Sequence, residues 1–351
     1  MPSINDPIAR RQFVKLMALG TAGLGSTAFV AGCMDDDDEE SAAEGTTTEG
    51  AKQTLRIAND EYVYLSIVTQ VPFWADHKAA LEDFRKETGA KTSFIGPPDF
   101  DVPGQARQLD ELVARKPAGI ILFIGDADAM TPGINRAVEA GIPVILVISD
   151  APKSKRFVHM GIDGVEAGRV GAQLLAEAIG GKGEVILGTF PSPNVLDRVK
   201  GYRQHFKENH PEIRVVQVVN DRADPSYAPE AYAAAIAAHP NVVGIGGTDG
   251  DSGLGAARAV KEAGKADQIK IVAMDRNDDM LAEVENGPIV GSVVQKSYDE
   301  LWLACWMLYW LNHEQLKPVP DWEDAGINPL PEKITTGVWK LTRDNVDQFK
   351  H

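Results

Sequence analysis

The chain has 351 residues, two cysteines and a formal net charge of −16. That charge argues against nucleic-acid backbones and anionic membrane surfaces as partners, and two cysteines exclude a disulfide framework. The length suits two lobes rather than one core, and 44% apolar with 25% charged residues is ordinary globular composition.

Residues 1–32 read as an export signal and are set aside from fold reasoning. Arg10-Arg11-Gln12-Phe13-Val14-Lys15 resembles a twin-arginine motif, and Val30-Ala31-Gly32-Cys33 resembles a lipobox. The apolar run between them is too short for a membrane span. Lipidation at Cys33 would leave a periplasmic or extracytoplasmic protein held to the membrane by its N-terminal lipid only. Residues 33–53 contain DDDDEE and EGTTTEG with almost no apolar side chains. Such a segment cannot offset its ordering entropy by burial, so an acidic disordered tether is expected.

From Thr54 strands alternate with helices. Strands are expected at 62–68, 91–95, 119–124 and 144–148, with helices at 75–88, 105–115 and 132–140 between them. Pro132 is placed in a first turn, where its missing N–H costs nothing. Ser149 and Asp150 then put a hydroxyl and a carboxylate at the carboxyl end of a strand, where open α/β sheets bind ligands. Residues 156–160 read as a link to a helix start at Asp163-Gly164. A second lobe repeats the pattern, with helices at 164–179, 197–209, 229–238, 254–263 and 278–285 and strands at 184–189, 214–219, 242–246, 269–274 and 289–294.

The helix at 297–311 is strongly apolar. Trp302, Trp306 and Trp310 share one face of it, read as core packing in preference to an exposed partner contact. Cys305 reads as a buried, inert thiol. A loop at 318–331 and a last strand at 334–341 close the chain. The alternation implies parallel sheets with right-handed crossovers. The fold class is α/β, two doubly wound parallel-sheet, Rossmann-like lobes with a ligand cleft between them.

A polar residue follows most of the strands: Gln70 and Trp74, Asp150, Asp249, Asp275 and Gln295, with Arg198 opening the helix after 184–189. These groups converge if two sheet edges face each other. Together with Phe73 they suit an uncharged polyhydroxylated ligand. Carboxylates accept from hydroxyls and arginine donates through a fork, while Phe73 and Trp74 offer flat apolar faces to a ring. Taken singly, Asp249 and Asp275 have a helix cap as the lesser alternative, and Arg198 reads equally as a surface helix residue. Other chemistries lack their motifs. In 244–250 Asp249 occupies the third glycine of GxGxxG, and no GxxxxGK[ST], HExxH or GxSxG occurs. The run from Asp275 begins like an EF-hand loop but has Met280 at its glycine position. No cofactor, metal or catalytic residue is expected.

Pro72-Phe73-Trp74, Gly141-Ile142-Pro143-Val144, Ser149-Asp150-Ala151-Pro152, Gly161-Ile162-Asp163, Ala167-Gly168-Arg169, Arg198-Val199-Lys200-Gly201-Tyr202, Val272-Ala273-Met274-Asp275 and Gln295 carry a further signal. Together they resemble the periplasmic sugar-binding proteins of ABC importers, of the ribose-binding-protein type, over about Thr54 to Leu341.

The resemblance implies lobes of 54–162 plus 296–335 and of 163–295 plus 336–351. Three hinge strands would join them, near Ile162-Asp163, Gln295-Lys296 and Thr335-Gly337. It also implies stacking by Phe73 and Trp74, an acidic contact at Asp150, and polar contacts at Arg198, Asp249, Asp275 and the hinge glutamine Gln295, with Gln70 near a position that is often Asn. Ile148 departs from the Asp that many members carry, and Ala223 from an aromatic found in some. The implied function is a monomer that captures a monosaccharide or similar polyol and delivers it to an ABC permease, making and breaking no bond. A sensing module for a chemoreceptor or sensor kinase and a carbohydrate-acting enzyme are the alternatives. A repressor is disfavoured by the missing helix-turn-helix and the negative charge.

Overall fold

Short runs of Val, Ile and Leu bounded by polar turns build two six-stranded sheets. The computed structural model describes residues 59–313, 315–316, 322 and 325–350. The export signal, the acidic tether and the lipidation of Cys33 lie outside the described residues.

The first sheet runs β2 (Lys91–Ile95), β1 (Glu61–Ser66), β3 (Gly119–Phe123), β4 (Val144–Val147), β5 (Val158–Gly161) and β11 (Lys333–Thr335), all parallel. Alternation along β1 sends Tyr62 and Tyr64 to one face and Val63 and Leu65 to the other. Helices α1 (Ala75–Thr88) and α9 (Ser297–Asn312) cover the first face; α2 (Val102–Arg115) and α3 (Ala127–Glu139) cover the second.

The second sheet runs β7 (Ile213–Asn220), β6 (Gly183–Thr189), β8 (Val242–Gly246), β9 (Lys270–Met274), β10 (Ile289–Gln295) and β12 (Val338–Thr342), with only β12 antiparallel. Helices α4 (Gly164–Ile179) and α5 (Pro193–Asn209) pack on one face, and α6 (Ala228–Ala238), α7 (Gly250–Glu262) and α8 (Asp278–Asn286) on the other. Each fully buried Leu, Ile or Val in these layers contributes about 1.5–3 kcal/mol.

The chain passes between the sheets at three places: from β5 to α4, from β10 to α9, and from β11 to β12. α9 follows a strand of the second sheet yet packs on the first.

Three sequence expectations change. The link at 156–160 is the strand β5, paired with β4 and β11. The last strand at 334–341 is two strands in different sheets. The Thr336 amide still donates to the Gly161 carbonyl at 2.9 Å, and Gly337, at φ 71°, turns the chain away. Pro132 lies inside α3, not in its first turn, because Asp126 caps the helix earlier and accepts from the Ala129 amide at 2.7 Å.

Cys305 is buried, and burial pushes its thiol up. Trp302, Trp306 and Trp310 are half-buried against the first sheet's core, Trp302 stacked on Tyr298 and Trp306 edge-on to Phe84. No described helix is long and apolar enough to cross a membrane.

Candidate functional site

The second sheet presents a polar group beyond the carboxyl end of each strand from β6 to β10: Arg198 after β6, Asp221 after β7, Thr248 and Asp249 after β8, Asp275 after β9, and Gln295 ending β10. Arg198 is placed by helix packing. Gly164, Gly168 and Gly171 line one face of α4, and a Cβ at Gly168 would overlap the Arg198 backbone carbonyl. A Cβ at Gly201 would likewise overlap the Val165 carbonyl. Without those glycines α5 could not lie so close.

Arg198 is 3% exposed. Its Nη1 donates to the Thr248 carbonyl at 2.7 Å and its Nη2 to Gln295 Oε1 at 3.5 Å. Its Nε has no partner among the described residues. Burial pulls the guanidinium below its ordinary value, while the charges of Asp275, Asp249 and Glu300 act the other way. Gln295 is oriented at both ends, because its Nε2 donates to Asp275 Oδ1 at 2.9 Å.

Asp275 sits at φ 70°, a left-handed conformation that Asp and Asn tolerate better than other side chains. Its amide donates to the Val293 carbonyl at 2.9 Å, and its own carbonyl accepts from Ser292 Oγ at 2.7 Å. Burial raises its carboxyl, against the lowering effect of Arg198 and Gln295.

Asp249 caps α7 and also acts on Arg198. Its Oδ1 accepts from the Asp251 and Ser252 amides, each at 3.0 Å, in a capping box with Ser252. Its Oδ2 is buried with no partner among the described residues. Burial raises this carboxyl too, the Ser252 amide and Arg198 opposing it. Asp221 was not anticipated. It is buried, accepts from the Tyr232 hydroxyl at 3.1 Å, and is raised to about 7 by burial and then by Asp249. Its signal was available, since it follows a strand as Asp249 and Asp275 do.

The first sheet's edge differs. Ile148, beyond β4, sits at φ 66° and its amide donates both to the Met160 carbonyl and to Glu300 Oε1, each at 2.9 Å. Glu300, on α9, is 1% exposed and is raised to about 8 by burial, the Ile148 amide and Arg198 opposing.

Four of the expected contacts lie on the first lobe. Asp150 is a correction: Arg156 holds its carboxylate through two donors, Nε and Nη2, the latter at 2.8 Å, and His159 Nδ1 lies 3.9 Å away. Burial pushes the Asp150 carboxyl up, but Arg156 and His159 outweigh it and the net direction is down. It forms an ion pair within the crossover loop. Trp74 is also a correction. It is 2% exposed, stacked on His77 at 5.5 Å and packed against Tyr64, Phe94 and Phe123, so the core rather than an open face holds its ring. Phe73 is half-buried and edge-on to Trp74 at 4.9 Å. Gln70 is exposed in the loop after β1.

Arg276, directly after Asp275, reaches the other lobe. Its Nη2 donates to Asp76 Oδ1 on α1 at 2.7 Å, and its Nη1 to the Phe349 carbonyl at 2.9 Å. No sequence motif marks this pair.

The arrangement gathers carboxyls around one guanidinium, with oxygen and nitrogen atoms to spare. It can accept from and donate to hydroxyls. Among the described residues no three His, Cys, Asp or Glu side chains are grouped to hold a metal. A cavity of about 370 Å³ lies apart from these groups, beside β2, lined in part by Thr69, Phe94, Gln108 and Arg115.

A family model described as periplasmic binding protein domain matches residues 62–314. The chain is 26% identical over 260 residues to the xylitol-binding protein of Mycolicibacterium smegmatis, covering 73% of this chain and 74% of that one. It is 24% identical over 258 residues to the D-apiose import binding protein of Actinobacillus succinogenes, covering 70% and 82%. Among solved structures, the sugar-binding protein of a sugar ABC transporter from Bacillus halodurans superposes with a TM-score of 0.78 at 27% identity, over 83% of this chain and 100% of that one. The arabinose binding protein AraP of Geobacillus stearothermophilus gives 0.74 at 30% identity, over 83% and 99%.

Proposed function

Since the chain belongs to the periplasmic binding protein domain family, we propose that it is an extracytoplasmic lipoprotein that captures a monosaccharide or similar polyol between its lobes and delivers it to an ABC permease. The observation that carries this reading is the cluster of Arg198, Asp249, Asp275 and Gln295 at one sheet edge, with Arg198 Nε and Asp249 Oδ2 buried and unpartnered among the described residues. Buried polar atoms are expensive to leave unpaired, and ligand hydroxyls would satisfy both. One guanidinium among several carboxyls favours a neutral ligand over a sugar phosphate. The similarity to xylitol-, apiose- and arabinose-binding proteins supports the same class.

Ligand bridging the lobes would favour the closed form by its higher affinity for it. A thermal-shift screen against pentoses, hexoses, pentitols and inositols tests this, because a ligand bound only by the folded form raises the melting temperature. One or more neutral polyols should raise it by several degrees, and sugar phosphates should not. A chain stabilised by none of them is not a sugar-binding protein. Turnover of a bound sugar would point to an enzyme instead.

A further inference from the structure

The two sheets end their fourth strands alike, and this exposes a substitution. Asp275 beyond β9 and Ile148 beyond β4 share a left-handed conformation, at φ 70° and 66°. Each donates its amide to the carbonyl of the next strand, Val293 on β10 or Met160 on β5, at 2.9 Å. The second lobe thus presents a carboxyl at this position, and the first lobe presents a branched sec-butyl group.

A carboxyl nevertheless reaches the same point from another element. Glu300 comes from the first turn of α9, five residues after the hinge glutamine Gln295, and its Oε1 accepts the Ile148 amide. The groups facing it are few. The Ile148 amide comes from the end of β4, Tyr64 from β1, with its hydroxyl on His77 Nδ1 at 3.1 Å, and Arg198 from α5 in the other lobe. His77 is buried, and burial pulls it down to about 3, so it stands neutral behind Tyr64 and offers no counter-charge. Within its own lobe Glu300 has no ion-pair partner among the described residues.

We propose that Glu300 is the first lobe's acidic contact for the captured polyol, taking the place of the side chain at residue 148. This rests on the sugar-binding reading above. Glu300, raised to about 8, is a neutral acid at pH 7. Its Oε1 keeps the Ile148 amide, and its other oxygen carries a proton to donate to a ligand oxygen. Arg198 and Glu300 then hold one ligand from opposite lobes, both as donors.

A glutamine reproduces one acceptor and one donor at this place without titrating. Calorimetry between pH 6 and 9 with D-arabinose, D-allose and xylitol, on the wild type, Glu300→Gln and Glu300→Leu, tests the assignment. For whichever of these binds, Glu300→Gln should stay within about threefold of wild type at pH 7, and Glu300→Leu should bind at least tenfold more weakly. Wild-type affinity should fall above the carboxyl's titration, approaching about tenfold per pH unit, and the Glu300→Gln profile should be flat. A Glu300→Leu variant that binds like wild type, or equal pH profiles for wild type and Glu300→Gln, overturns the proposal alone. A wild type that binds none of the three, nor any polyol of the screen, overturns the sugar-binding reading and this assignment with it.

Discussion

At the end of β4 the first lobe carries Ile148 in a left-handed conformation; at the end of β9 the second carries Asp275 in the same one. For Asp275 that backbone is tolerable. For a β-branched residue it is an outlier, at a cost of about 1–3 kcal/mol. The amide geometry is the same in both lobes, so the backbone path follows from how each sheet hands its chain to the next strand. The side chain is where the lobes diverge. In the second lobe the residue that tolerates the turn is also the one that faces the guanidinium. In the first these tasks are divided between Ile148 and Glu300.

Removing the second lobe's charge should have the largest effect. Asp275→Asn keeps a side chain that accepts the left-handed backbone but removes the largest of the charges that oppose the burial of Arg198. It and Arg198→Ala should each weaken sugar binding at least a hundredfold, about 3 kcal/mol, while circular dichroism stays native. Unchanged calorimetric affinity in both would reject the site. Next is the glycine that seats Arg198. Gly168→Ala forces a methyl into the Arg198 carbonyl, so it should lose about 1–3 kcal/mol of stability in urea and at least tenfold in affinity.

The pH dependence of the ligand-free protein comes third. Asp251, Asp221 and Glu300 are raised by burial to about 6, 7 and 8. A carboxyl raised above its unfolded value contributes stability that is complete at low pH and lost as pH rises through the folded value. The melting temperature should therefore fall between pH 5 and 9, and Glu300→Gln should flatten the drop by roughly 5 °C.

A pair of glycine substitutions sharpens the backbone comparison. Val147→Gly, inside β4, should cost about 2–4 kcal/mol in urea, from lost burial and added chain entropy. Ile148→Gly one residue later should cost less than about 1 kcal/mol, because relief of strain offsets lost packing. Equal costs would show that Ile148 is not strained. The smallest effect belongs to the contact between lobes. Asp76→Asn breaks a partly exposed ion pair with Arg276 and should weaken binding no more than about fivefold. Stopped-flow release should show the change in the off-rate, with a weaker salt dependence than wild type.

Much of this was legible in the residues. Asp249, Asp275 and Gln295 each follow an apolar run, and strand ends in a parallel sheet share an edge, so their meeting with Arg198 follows from pattern alone. Asp150 obeys the same pattern, yet Arg156, six residues on, folds back to pair with it; local pairing leaves no periodic trace. Trp74 was misread for a related reason. An aromatic after a strand looks like a platform until Tyr64, His77, Phe94 and Phe123 close around it. Glu300 was invisible inside an apolar helix read as core, although it shares the buried face with Ala304 and Leu308. The break at Gly337 was hidden by strand-like residues on both sides.

The three passages of chain between the sheets have a mechanical consequence. A single tether would let one lobe swivel, slide and twist against the other. Three crossings, flanked by the paired strands β5 with β11 and β10 with β12, would permit little except bending about the line that joins them. If the lobes close on a ligand as proposed, the motion would then be close to one-dimensional.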